Sequence, residues 1–154
     1  MNQPSTLDLD FHFKLANIFA MSGWIVLIFL PFWEAGPKFI LYGSFILLAC
    51  LYAFLLKSAL TQNKEATTEI KDSTSGEKPG FTTLTGVLTL LKDPVSALTA
   101  WVHILAFDLM IGFYIAQQGA LLNISHWLLI PCYLLTLMLG PLGLLLFLLI
   151  SMPV

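Results

Sequence analysis

One carboxylate stands where a carboxylate is expensive. Asp108 lies within Leu105–Met110, in the middle of a long apolar run, about 4 Å from its midpoint at 1.5 Å of helical rise per residue. An aspartate near the centre of a membrane helix costs about 2.5–3.5 kcal/mol on insertion scales. It should therefore face the bundle interior or a cavity, and hold a partner or a proton. His103 sits five residues earlier, about 7.5 Å along the axis and about 140° around it. The two cannot form a direct pair on one turn, so each points to a different neighbouring helix. Desolvation disfavours the charged form of a buried carboxyl, which leaves it able to donate a proton while an imidazole accepts one. An acid and a base in hydrocarbon are the means for proton-transfer chemistry without a metal. The structural alternatives are an interhelical hydrogen bond for Asp108 and simple packing for His103.

Aromatic and small residues accompany the pair. On the helical wheel Phe107 and Tyr114 fall near His103, while Trp101 and Gly112 fall near Asp108. Earlier in the chain Asn17, Met21, Trp24 and Ile28 share a face; later, His126, Tyr133 and Gly140 share another. Faces of this kind turned inward would line a pocket with aromatics and a few convergent polar groups, the usual make-up of a small-molecule site. The same stripes would also serve as plain packing, and His126 would serve as an interfacial residue.

The elements that must position these residues follow from composition. Of 154 residues 58% are hydrophobic and 10% charged, with a mean hydropathy of +0.86. Soluble domains carry about 25% charged residues, and a chain this small has no core able to hide so much apolar surface. An all-α integral membrane bundle is expected, with four spans over about 11–30, 39–56, 94–117 and 126–150, each near the about 20 residues a bilayer requires. The segment Thr61–Gly80, rich in Lys, Glu, Thr, Ser and Gly, reads as a polar loop. Phe81, Leu84, Val87, Leu88 and Leu91 recur at helical spacing opposite Thr82, Thr83, Thr85, Gly86 and Thr89. They predict a short amphipathic helix at the membrane surface before the third span. Asp93-Pro94 supplies an N-cap and a first-turn proline, and Gly119 a C-terminal stop. Asn123 or Ser125 would cap the fourth span. Pro131 and Gly140-Pro-Leu-Gly143 should bend it and admit a close neighbour.

Four spans put Lys14, Lys57, Lys64, Lys71, Lys78 and Lys92 on one side and Lys38 on the other. The positive-inside rule then places both termini in the cytoplasm. Met1–Asp10 lacks the basic start of a signal peptide and the Arg- and Ser-rich look of a transit peptide. The expected location is a bacterial inner membrane, or an organelle after loss of a targeting segment.

Other classes are excluded on chemistry. The net charge is -2 and every basic residue besides histidine is lysine, which gives no footprint for nucleic acid and no arginine for bidentate phosphate capture. Cys50 and Cys132 lie in apolar runs and read as buried free thiols. There is no CxxC, HExxH or Gly-rich phosphate loop, so neither a metal nor a cofactor is expected. The partners expected are the bilayer and a hydrophobic ligand, with a homo-oligomer or companion membrane enzyme beside them.

The string Trp101-Val-His-Ile-Leu-Ala-Phe-Asp-Leu-Met-Ile-Gly112 resembles the neoxanthin-synthase, or abscisic-acid-deficient-four, family of small four-span membrane proteins. Leu15–Trp24, Pro31-Phe-Trp33, His126 through Cys132, and Met138–Gly143 carry the resemblance across both halves, in family order. Plant members are associated with converting violaxanthin to neoxanthin, an isomerisation of a carotenoid epoxide to an allenic alcohol. The resemblance thus implies a carotenoid or related isoprenoid ligand, and an isomerase that needs only one acid and one base. On that reading Asp108 donates to the epoxide oxygen and His103 takes the carbon-bound proton, with the roles reversible and His126 able to replace His103. Asn17 would orient either group, and Trp24, Trp101, Phe107, Gly112, Tyr114, His126 and Tyr133 would line the substrate site. The rival is a protein that binds, shields or delivers an isoprenoid, or supports a partner enzyme, with no chemistry of its own. Proton or ion transport is the weaker third reading, because one buried acid and no repeat of broken helices are present.

Overall fold

A helix of 21 residues opens the structure, a computed structural model that describes residues 8–69 and 80–152. This helix, α1 (Leu9–Phe29), is capped by the Asp8 carboxylate, which accepts from Phe11 N at 3.0 Å. A loop over 30–35 leads to the one-turn α2 (Gly36–Lys38), a π-helical stretch (Phe39–Phe45) and α3 (Ile46–Glu69). Then follow α4 (Leu84–Lys92), α5 (Pro94–Leu121), α6 (His126–Leu139) and α7 (Pro141–Ser151). No strand occurs among the described residues.

Three helical stretches are long and apolar enough to cross a membrane: Leu9–Phe29, Gly36–Thr61 and Pro94–Leu121. The second begins earlier than the expected 39 and its helix runs on to Glu69, into the segment expected to be loop. Nothing between Leu60 and Glu69 breaks a helix, and Gln, Lys, Glu and Ala there are good helix formers. The remainder of that expected loop, 70–79, lies outside the described residues.

Helix α5 starts as the sequence implies. Asp93 accepts from Ser96 N at 2.8 Å and Pro94 holds the first position. It does not stop at Gly119. The helix runs to Leu121, and the turn is made by Asn123 with φ 53°, a residue whose short polar side chain tolerates the left-handed region. Gly119 instead admits the Leu129 side chain of α6. Ser125 occupies the N-cap position of α6.

α1 and α5 run parallel and close together. Phe13 stacks on Trp101 at 6.0 Å, Gly23 faces Leu109, and Trp24 faces Gly112. A Cβ on Gly112 would lie 2.6 Å from the Trp24 ring, and one on Gly23 would lie 2.8 Å from Leu109. These two glycines let three helices meet, since Ser22 and Ser44 also hydrogen-bond there at 2.9 Å. Small residues at such contacts bring membrane helices within reach of each other. α3 returns antiparallel and sets Tyr52 against His103.

The largest departure is in the fourth expected span. Residues 126–150 form not one helix but two, of 14 and 11 residues, about 21 and 16 Å long against a hydrocarbon core of about 30 Å. Gly140, at φ 47° and ψ -95°, breaks them, and Pro141 starts the second. The chain turns back there. Gly143 lies against Thr136 N and Cys132 O of the preceding helix, closer than any Cβ permits. Gly140 sits beside Asp108, whereas Phe147, seven residues on, meets Tyr114, six residues further along α5. α7 therefore ascends the upper half of α5 beside α6. Below the turn, Trp101 of α5 is stacked on Phe13 yet exposed, as is Ile104.

The short α4 matches its expected amphipathic character. Thr83 caps it by accepting from Gly86 N at 3.1 Å, while Phe81, Leu84, Leu88 and Leu91 stay exposed.

Candidate functional site

A cavity of about 550 Å³ occupies the end of the bundle where α1 finishes and α6 begins. Its wall comes from α1, the loop after it, α2 with the π-helical stretch, α5, the α5–α6 turn and α6. The end of α1 contributes Val26 and Leu27; the loop after it contributes Phe32 and Trp33; α2 and the π-helical stretch contribute Gly36 and Ile40. From α5 come Phe113, Ala116 and Gln117, spaced three and four apart on one face. From α6 come His126, Leu129 and Tyr133, again one face. Phe32 and Trp33 are exposed at its rim, Phe32 at 92%. The lining is apolar and aromatic, with an imidazole, a phenol, the Trp33 indole and two carboxamides (Gln117 and Asn123) as its polar side chains.

His126 is fixed by the main chain of α1. Its Nε2–H donates to Ile28 O at 3.0 Å. Ile28 is in the last turn of α1, where carbonyls have no partner within the helix. The Tyr133 ring lies 5.7 Å from that of His126, centroid to centroid. Tyr133 is 1% exposed, and no hydrogen bond among the described residues engages its hydroxyl.

The other residues singled out in the sequence fall elsewhere. Asp108 is half-buried under the turn at Gly140; a Cβ there would lie 2.7 Å from its Oδ1. His103 lies on another face, exposed, its ring 5.4 Å from Tyr52 and 4.5 Å from Phe107. The structure does not bring Asp108 and His103 together. Asn17 bonds to its own helix, Nδ2 donating to Phe13 O at 2.7 Å. Trp101 stacks on Phe13, Phe107 faces outward, and Tyr114 packs edge-on against Phe147. Trp24 is core, 1% exposed, and Gly112 is the hollow that receives it. Its indole N–H finds no acceptor among the described residues. Cys132 is buried as expected; Cys50 is exposed.

Two of the ten residues thus line the cavity, His126 and Tyr133, and they do so through the expected i, i+7 face. Trp33, Phe113 and Gln117 were not among the candidates. Trp33 stands in the Pro31-Phe-Trp33 string that carries part of the family resemblance, and only the fold shows that it lines one cavity with the α6 residues.

A family model described as ABA DEFICIENT 4-like matches residues 11–147. The chain belongs to the ABA4-like family. The match takes in every cavity residue and the hairpin as far as Phe147. No curated protein and no solved structure matches the chain. Membership in the ABA4-like family agrees with the resemblance carried by Trp101–Gly112 and its companion strings.

Proposed function

We propose that this ABA4-like chain is a membrane-embedded protein that binds and modifies a carotenoid or related isoprenoid, as an epoxy-carotenoid isomerase. The observation that carries the reading is the end cavity. A cavity of about 150 Å³ holds benzene, so about 550 Å³ receives a methylated six-membered end ring and the first stretch of its polyene. The rest of such a ligand is too long for the cavity and would lie in the surrounding lipid. Aromatic walls suit a conjugated chain, and a few fixed polar groups suit an oxygenated ring. The reaction has no net redox change and asks only for one proton delivered and one removed.

A second reading is binding or delivery without chemistry. One observation favours it: Asp108 and His103, the acid and base expected from the sequence, face different neighbours.

In the membrane, the reading has three crossings by α1, the Gly36–Thr61 stretch and α5, followed by a re-entrant α6–α7 hairpin. Asp8 and Ser151 then lie on opposite sides, unlike in a four-span arrangement. The lysine-rich side, with Lys14, Lys57 and Lys92, is cytoplasmic. A plasma-membrane location in a bacterium belongs to the same proposal.

The test is an absorption spectrum of the full chain, purified in detergent from a carotenoid-producing host, with chromatography of the extracted pigment. The reading expects a structured visible band at one pigment per chain and an extracted pigment isomeric with one the host makes. Pigment bound but unaltered selects the binding reading. A colourless protein with host pigments unchanged overturns both.

A further inference from the structure

The bond between His126 and α1 determines which imidazole nitrogen is free. A carbonyl oxygen can only accept, so Nε2 must carry the hydrogen in the 3.0 Å contact with Ile28 O. In the neutral imidazole Nδ1 is then a lone-pair acceptor. No hydrogen bond among the described residues occupies it. The arrangement is a positioned base: one nitrogen tethered to a rigid helix end, the other unengaged, on the wall of an apolar cavity.

Its neighbour supplies the opposite function. Tyr133 lies seven residues further along α6, nearly two full turns, and so on the same face. Its ring is 5.7 Å from that of His126. Its hydroxyl is a donor with no acceptor among the described residues, and the side chain lines the same cavity. We infer that His126 and Tyr133 are the proton-accepting and proton-donating pair of the site, for an epoxide bearing an adjacent polyene. This rests on the isomerase reading above and replaces Asp108 and His103 as its acid and base.

The step balances without another reactant. Nδ1 of His126 takes the proton from the polyene carbon next to the epoxide. The C–H electrons become the new cumulated double bond. The bond between oxygen and the adjoining ring carbon breaks, its electrons go to oxygen, and the Tyr133 hydroxyl protonates that oxygen. The product is an allenic tertiary alcohol, with the ring carbon–oxygen bond on the far side retained. A proton returned from the imidazolium to the phenolate beside it restores both groups. The two reacting positions on the ligand are on neighbouring atoms, so a ring seated in the cavity against the contiguous His126 and Tyr133 side chains presents one position to each group.

A purely structural role for His126 is to cap α1, and the variants separate the two. His126→Gln keeps an N–H able to reach Ile28 O but has no basic nitrogen; Tyr133→Phe keeps the ring and loses the proton. The full chain is reconstituted in phosphatidylcholine vesicles, with violaxanthin as the probe and chromatography of products as the readout. The expected result for each variant is violaxanthin bound as in the unsubstituted chain, thermal stability retained, KM changed by less than about threefold, and kcat lowered about 10²–10⁴-fold. Turnover by His126→Gln at the unsubstituted rate overturns the inference and leaves the isomerase reading intact. Loss of violaxanthin binding or of folding in His126→Gln, with Tyr133→Phe fully active, assigns His126 to the cap and also overturns it. An unsubstituted chain that binds violaxanthin and returns it unchanged overturns the isomerase reading itself.

Discussion

If α7 folds back along α6, two residues far apart along the sequence must be neighbours in space. Leu128, near the start of α6, and Leu149, near the end of α7, are both exposed and suited to spin labels. A single straight helix through 126–150 would separate them by 21 residues, about 31 Å. In a hairpin the separation falls to about one interaxial distance, 8–10 Å, plus the label arms. The measurement is a dipolar distance between labels at Leu128→Cys and Leu149→Cys, with exposed Cys50 replaced by Ser. A distance below about 20 Å is expected from those two limits. The hairpin should also depend on Gly143. A methyl there meets Thr136 N and Cys132 O, main-chain atoms that cannot move aside because they belong to one helical turn. Forcing a methyl into packed structure costs about 1–3 kcal/mol, which at 1.4 kcal/mol per tenfold is about a 5- to 150-fold loss in the folding equilibrium. Gly43→Ala is the control, because its nearest neighbour is the Phe39 ring at 3.3 Å, a side chain that can yield. Mixed-micelle unfolding of Gly143→Ala, and the label distance in it, complete the experiment. A distance near 31 Å, or a Gly143→Ala chain as stable as the Gly43→Ala control, would refute the hairpin.

Other outcomes follow from the same geometry. Asp108→Asn removes the carboxyl under Gly140 without touching the cavity, so pigment binding and conversion should persist within about threefold; loss of conversion with binding intact would move the chemistry to Asp108. Asn123→Val places a β-branched residue at φ 53° and should cost about 1–2 kcal/mol, read as a lowered midpoint in thermal or mixed-micelle unfolding; an unchanged midpoint would mean that the turn is not fixed in that conformation. Impermeant thiol reagents applied to intact cells should label Ser151→Cys but not Asp8→Cys, and labelling of both or neither from one side would restore a fourth crossing.

Much of this fold is written in local chemistry. Asp93-Pro94 starts α5 because a carboxylate and a missing N–H suit a helix N-terminus wherever they occur, and the spaced leucines of 84–91 make α4 amphipathic without any partner. The divergence of Asp108 from His103 is equally local, a consequence of five residues at 100° each. The reversal at Gly140 is not. Residues 126–150 are as apolar as a continuous span, and a glycine followed by proline serves a shallow bend or a full turn. What decides is the fit of Gly143 against the main chain at Cys132 and Thr136; the glycine signals a close approach, but nothing local says that the neighbour is the preceding helix. The cavity is hidden for a similar reason. His126 is held by a main-chain carbonyl 98 residues away, and every residue has a carbonyl. Gly119 reads in sequence as a helix stop and is instead a socket for Leu129, since the positive φ falls at Asn123.

The central claim is that the end cavity is where the isoprenoid ring sits, and filling it is the most direct test. Ala116 lies on the α5 wall, where Ala116→Trp would put an indole into the space proposed for the ring. The amount of pigment co-purifying with this variant is compared with that of the unsubstituted chain from the same carotenoid-producing host. The account predicts a folded, colourless Ala116→Trp protein beside a coloured parent. An Ala116→Trp protein that keeps its full complement of pigment would contradict it.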